Sequence, residues 1–224
     1  MARPRTPRLS PERIRQAALE IIDSLGLEEL SMRRLAEQLG VRAASLYNHV
    51  SNKDELLHDI ANELTAQVDV SGFEDDWATG LITWARSYRA ALAAHPNLVP
   101  FLAYGPARRE AALRHADAVH GGLVRAAWPP RYATMIGASA KYLVVGAAMG
   151  SFSAGFVDDA QFYDGRYPNL VQAHLLRQHA QEIDNDSFEL ALHSLVEGLR
   201  QLYRSLPAAG GGPRPAERDH SPAG

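Results

Sequence analysis

The sequence predicts an all-α protein, with an N-terminal three-helix head of helix-turn-helix type followed by a larger helical domain. Three observations carry this. Apolar residues recur at the three-and-four spacing of a helix, and alternating strand-like runs are nearly absent. Helix boundary signals punctuate the first quarter, with Ser10-Pro11, Ser31 and Asn52 as starts and Gly26 and Gly40 as stops. Two short helical segments meet through Gly40-Val41-Arg42, a connection of helix-turn-helix length.

The first helix starts at Pro11 and buries Ile14, Ala17, Ala18, Ile21, Ile22 and Leu25, with Gly26 as its stop. Ser31 caps the second, whose inner face is Leu35, Ala36 and Leu39. Only eight residues separate that cap from Gly40, so packing must hold this helix. A third segment covers about Ala43 to Val50, with Ala43, Leu46, Tyr47 and Val50 on its packing face. A fourth helix starts at Asn52, with Glu55 in capping-box position and Leu56, Leu57, Ile60, Leu64 and Val68 inward.

The pattern fails between Asp69 and Asp76, which sets the expected boundary between a head of residues 1–68 and a body of 69–206. Within the body, helices are expected at about 75–94, 97–103, 108–127, 130–156, 169–181 and 187–206. His95-Pro96 breaks the first of these from the second, because a residue before proline avoids helical geometry. The stretch VDDAQFYDGRYPNL reads as a loop. The tail 207–224, rich in Gly and Pro, reads as disordered.

Composition narrows the function. The 224 residues include no cysteine, which excludes disulfides, zinc–thiolate sites and thiol catalysis and fits a reducing compartment. No apolar run reaches the roughly 18 residues of a membrane span, and no signal-type segment follows the basic N-terminus. The expected setting is the cytoplasm, with no membrane partner. The net charge of −3 is unevenly spread. Residues 1–53 hold nine Lys and Arg against six Asp and Glu, while 54–224 hold fourteen against twenty. A basic front on an acidic body points to a polyanionic partner. Phosphate-loop, G-x-S-x-G and HExxH motifs are missing, so no catalytic residue and no enzyme activity is expected. His115 and His120 are five apart, as are His174 and His179. Five residues along a helix turn two side chains about 140° apart, so no metal site and no cofactor is expected.

The segment from Leu39 to Leu57, LGVRAASLYNHVSNKDELL, carries the chemistry. Arg42, Ser45, Asn48 and His49 supply guanidinium, hydroxyl, amide and imidazole groups on one short element, and such groups read base edges in a major groove. Ala43 and Ala44 are small enough for close backbone approach. Lys53 sits in the first turn of a helix, where a cation opposes the macrodipole by about 0.3–1 kcal/mol. A phosphate at that helix start makes the placement favourable. A solvated surface lysine is the plain alternative. The arm ARPRTPR, with Arg3, Arg5 and Arg8, is suited to a minor groove or to phosphates, or else is a solubilising end.

The stretch from Gly26 to Leu57 strongly resembles the DNA-binding domain of the TetR family of bacterial transcriptional regulators. It carries Leu-Gly-Val, Leu-Tyr-x-His-Val and Asn-Lys-x-x-Leu-Leu in the family's order. AHPNLVPFLAYGP and FELALHSLVEGLRQLY resemble the C-terminal domain of the tetracycline-repressor branch. The resemblance implies that Arg33 contacts a base, that Arg42, Ala43, Ser45, Tyr47, Asn48 and His49 form the recognition element, and that Tyr47, His49 and Lys53 touch the DNA backbone. The chain departs from the tetracycline-repressor branch at Asn48, Ala43 and Met32, where that branch has an aromatic residue, a glutamine and a threonine. Its operator is therefore expected to differ.

The resemblance also implies a homodimer, a palindromic operator and a small-molecule inducer. KYLVVGAAMGSFSAGF is apolar on more than one face, and the closing helix presents Leu190, Leu195, Leu199 and Leu202. Trp84, Tyr88, His95, Phe101, Tyr104, His115, His120, Tyr142, Met149 and Phe152 are the candidate pocket residues, on the principle that pockets are mostly apolar with a few polar groups. The alternative is a DNA-binding head whose body docks a protein partner or organises the nucleoid without a small ligand.

Overall fold

The computed structural model describes residues 9–104 and 109–206. The arginines of the N-terminal arm, the Gly105-Pro106 stop and the tail lie outside them, as does the side chain of Tyr104. The described residues are helical, with no strand among them, as the spacing predicted. Two compact units divide them. One takes in residues up to Asp69 together with Ser87–His115 and Val145–Gly150; the other takes in Val70–Arg86, Ala116–Val144 and the residues from Ser151 on.

The first unit opens with α1 (Pro11–Leu25), whose Ser10 Oγ accepts from Arg13 N at 3.3 Å. A 3-10 turn over Leu27–Glu29 leads to α2 (Met32–Leu39), capped when Ser31 Oγ accepts from Arg34 N at 3.1 Å. The short α3 (Ala43–Leu46) and the longer α4 (Lys53–Ala66) complete the head. Ile14, Ala18, Ile21, Ile22, Leu35, Leu46, Leu56, Leu57 and Ile60 are buried at its centre. Burying each of the large aliphatic side chains among them is worth about 1.5–3 kcal/mol. Gln38 adds a polar tie between α2 and α1, donating to Ala17 O at 3.3 Å and to Glu20 Oε2 at 3.0 Å.

The body elements are α5 (Trp77–Ala93), α6 (Val99–Tyr104), α7 (Glu110–Arg125), α8 (Pro130–Ala148), α9 (Ala160–Tyr163) and α10 (Ala180–Ser205). His95 does break α5 from α6, and a 3-10 turn over Pro96–Leu98 lies between the two helices. Two expectations need correction. The helix expected to run to 156 stops at Ala148; Ser151 then caps a separate 3-10 turn over Phe152–Gly155, accepting from Ser153 N at 3.2 Å. The break expected between 181 and 187 does not exist, because a 3-10 run over Ala173–His179 feeds directly into the 26-residue α10. The stretch Asn185-Asp186-Ser187 looked like a cap, but it is an exposed face of a continuous helix. The stretch read as a loop holds α9, capped by Asp159 accepting from Gln161 N at 2.9 Å.

Aromatic residues fill the second unit. Trp77 meets the fully buried Trp128 edge-on, with centroids 5.3 Å apart, and Tyr203 lies 5.0 Å from Trp128 while its hydroxyl donates to Ala126 O at 2.6 Å. Phe73 lies against Gly80 and Gly122, where no side chain has room. A Cβ built on Gly122 would fall 2.5 Å from the Phe73 ring. Gly122→Ala is therefore expected to displace Phe73 and lower stability by about 1–3 kcal/mol in urea denaturation. An unchanged midpoint would show that the ring yields freely.

Asp76 caps α5 by accepting from Ala78 N at 2.8 Å and Thr79 N at 3.0 Å. Burial alone raises its carboxyl pKa, but the bonds from the Thr79 hydroxyl, Thr79 N and Ala78 N, with Arg200 nearby, outweigh it and hold the group below its ordinary value. A depressed carboxylate stabilises fully above its unfolded pKa, and that contribution is lost as pH falls through the folded one. Asp76→Ala is expected to cost about 0.5–2 kcal/mol at neutral pH. The difference between variant and parent should shrink in acid, and a pH-independent difference would contradict that linkage.

Candidate nucleic-acid interface

The recognition element owes its geometry to the stop before it. Gly40 is left-handed, with φ 67° and ψ 32°. Its N–H reaches Glu37 O at 3.1 Å, and Val41 N reaches Ala36 O at 3.0 Å, the paired bonds of a Schellman motif. A side chain at Gly40 would strain this backbone. Arg42 is extended, and α3 begins behind it.

The helix α3 is shorter than expected. Helical geometry ends at Leu46, and Tyr47, Asn48 and His49 form a turn closed by His49 N and Val50 N, which both reach Leu46 O. A helical wheel extended to residue 50 therefore misplaced Tyr47. Leu46 and Val50 are buried, but Tyr47 is 54% exposed. Arg42, Ala44, Asn48 and His49 are exposed too, and Ala43 and Ser45 are half-buried. The hydrophobic side of the element anchors it, and its remaining surface carries guanidinium, phenol, amide and imidazole groups side by side.

Arg33 projects from α2 with a side chain 90% exposed, loosely paired with Glu37 at 3.7 Å. Its neighbour Arg34 is instead tied to Glu29. Lys53 is half-buried, and its ammonium donates to Leu27 O at 3.3 Å. That bond closes α4 onto the 3-10 turn and supplies a structural reason for the cation that sequence reasoning did not see. Asn52 Oδ1 accepts from Glu55 N at 2.8 Å, while Glu55 reaches back to Ser51 N at 3.2 Å, one residue earlier than a capping box does.

The candidate pocket residues fall in different places. In the first unit, Phe101 lies under the Arg109 guanidinium, 4.9 Å from its centroid, with His58 at 5.2 Å. Burial pushes the pKa of half-buried Tyr88 up and that of Arg109 down, each partly offset by the other. His95 pairs with Asp23 at 2.9 Å, so it joins α1. Half-buried His115 has its pKa pushed down by burial and then by Arg114, and Met149 is exposed. In the second unit, Trp84 is buried, His120 is half-buried, and Tyr142 and Phe152 are exposed. An open groove of about 940 Å³ there is lined by Phe152, Phe156, Leu170, Leu176 and Leu190, with His179 and Glu182 at its polar side. Sequence reasoning missed Arg109, a buried cation whose partners are distant in sequence.

Two family models match this chain. "Bacterial regulatory proteins, tetR family" covers residues 14–60, and "Tetracyclin repressor-like, C-terminal domain" covers residues 72–203. The chain belongs to the TetR family. The tetracycline repressor protein class A from transposon 1721 of Escherichia coli is 31% identical over 86% of this chain and 91% of its own length. Among solved structures, the Streptomyces coelicolor TetR family protein ActR in complex with actinorhodin superimposes with a TM-score of 0.65 at 27% identity, covering 86% of this chain and 97% of that one. A possible TetR family regulator from Streptomyces coelicolor A3(2) gives 0.65 at 27% identity, covering 86% and 100%. This TetR-family protein is a DNA-binding transcriptional regulator with a ligand-binding C-terminal domain, and not an enzyme. No helix among its described residues is long and apolar enough to cross a membrane.

Proposed function

We propose that this regulator is a cytoplasmic repressor that binds a palindromic operator as a homodimer and leaves it when a small molecule binds the body. Residues 1–68 are the reading head in this proposal, and 69–206 the regulatory and dimerisation domain. The observation that carries the proposal is the exposed set Arg33, Arg42, Tyr47, Asn48 and His49 on and beside an element anchored by Leu46 and Val50. Arg33, Arg42, Ala43, Ser45 and Asn48 are assigned to base edges, and Tyr47, His49 and Lys53 to the backbone. Dimerisation is supported by exposed apolar groups on α8 and α10, among them Tyr142 and Leu190. A two-fold dimer reads half-sites about one helical turn or a multiple apart.

Induction is supported by the relatives. The similar Escherichia coli protein is named a tetracycline repressor, and the similar ActR structure holds actinorhodin. An inducer acts here only by the difference in its affinity for the two conformations. Selecting bound sequences from random DNA should return a palindrome. Small molecules that shift the melting temperature should then release that site. A monomer in dilute solution, or enrichment of no sequence, would overturn the proposal. Release by no small molecule from a large panel favours the protein-docking alternative.

A further inference from the structure

The helix that carries the reading head is held at a joint whose chemistry depends on protonation. His58 and Asn62 stand one turn apart on α4, on the same face. Asn62 Oδ1 accepts from Ala111 N at 2.9 Å, so α4 caps the first turn of α7. Four residues toward the head, Arg109 Nε donates to His58 Nδ1 at 3.4 Å. The same guanidinium donates through Nη2 to Phe101 O at 3.0 Å and lies over the Phe101 ring. One buried cation, 7% exposed, thus ties α4 to the end of α6 and the start of α7.

A guanidinium has donors only. The bond to His58 Nδ1 therefore requires a lone pair there, which fixes His58 as the neutral imidazole with its hydrogen on Nε2. Protonation would place a second N–H on Nδ1, facing the Arg109 N–H, and would set two positive charges against each other in a half-buried site. The groups facing this pair are few. Tyr88 of α5 interacts electrostatically with Arg109. Phe101 offers a ring and a carbonyl from α6. On α4 itself, Asp54, Glu55 and Asp59 flank His58 in sequence and are exposed.

We propose that operator binding by this regulator is proton-linked through His58, a positioning residue: neutral His58 holds α4 through Arg109, and protonated His58 releases it and weakens binding. The inference rests on the operator-binding reading given above. In its ligand-free state the joint is closed, and the closed joint is the DNA-binding state. His49, exposed on the recognition element, works in the opposite direction, because its protonation adds a cation facing phosphates. The signature is therefore a difference between variants and not the raw pH profile.

The test is the affinity of the full chain for its selected operator across about pH 5 to 8, the range in which imidazoles change charge. His58→Gln keeps an acceptor for Arg109 and cannot be protonated. It should bind like the parent at the alkaline end and about fivefold or more tightly than the parent at the acid end. Should His58→Gln fail to fold by circular dichroism, Arg109→Gln replaces it. That variant removes the opposing charge while keeping a donor, and it should likewise lose the extra acid sensitivity. Parallel profiles for parent and variant would overturn the proton linkage. A variant that loses affinity on acidification more steeply than the parent would overturn it as well. Enrichment of no DNA by the parent would instead overturn the operator-binding reading.

Discussion

Leu46→Ala is expected to destabilise the head by about 2–5 kcal/mol and to abolish operator binding at concentrations where the parent is saturated. The size of the effect reflects how little else holds the element. The helix α3 has four residues, too few for any stability of its own. Leu46 is fully buried, and of the residues on the element only Val50 shares its anchoring role. Truncating Leu46 removes about three methyl or methylene groups from the packed interior and leaves a cavity under the recognition surface. The cost should appear in urea denaturation as a lower midpoint with an unchanged slope. Ala44→Ser, at an exposed position on the same element, should stay within about 0.5 kcal/mol of the parent. A Leu46→Ala midpoint indistinguishable from that of Ala44→Ser would show that α2 and α4 alone hold the segment.

The head was legible because its signals are local. Ser10, Ser31 and Asn52 each cap a helix, and Gly26 and Gly40 each end one, as their types and spacing predicted. Those effects act across one turn of chain and can be read from a handful of residues. The errors arose where a local signal was ambiguous. Asn185-Asp186-Ser187 matches a cap by composition, but a polar face on a long helix has the same composition, and only packing of Phe188 and Leu192 decides between them. Tyr47 was assigned by a wheel that assumed helix to residue 50, while the helix had already ended. Lys53 was explained by a phosphate because its partner, the Leu27 carbonyl, lies 26 residues away. The Arg109–His58 and Ala111–Asn62 bonds span 51 and 49 residues. Such contacts have no local signature, so the joint that positions α4 was invisible until the chain was folded, although the motif that it serves was plain.

The combination of Arg42→Ala and Asn48→Ala is expected to separate reading from folding. Both side chains are exposed, so neither change should move the melting temperature. Each well-formed base contact is worth about 1–3 kcal/mol of discrimination, so preference for the selected operator over scrambled DNA should fall by about 10- to 1,000-fold. Binding to scrambled DNA should fall much less, because most of that binding comes from phosphates contacted by other groups. Lys53→Met provides the contrast. It removes a cation without touching base readers, so it should weaken all sequences alike and reduce the salt dependence of binding. Loss of its bond to Leu27 O should also lower the stability of the head modestly. Asn48 is the more diagnostic of the two readers, since the tetracycline-repressor branch carries an aromatic residue there. If Asn48 reads a base, Asn48→Ala should relax the selected sequence at one position of each half-site, symmetrically about the dyad. Relaxation at no position would remove Asn48 from the reading surface and leave Arg42 and Arg33 to account for the operator's sequence.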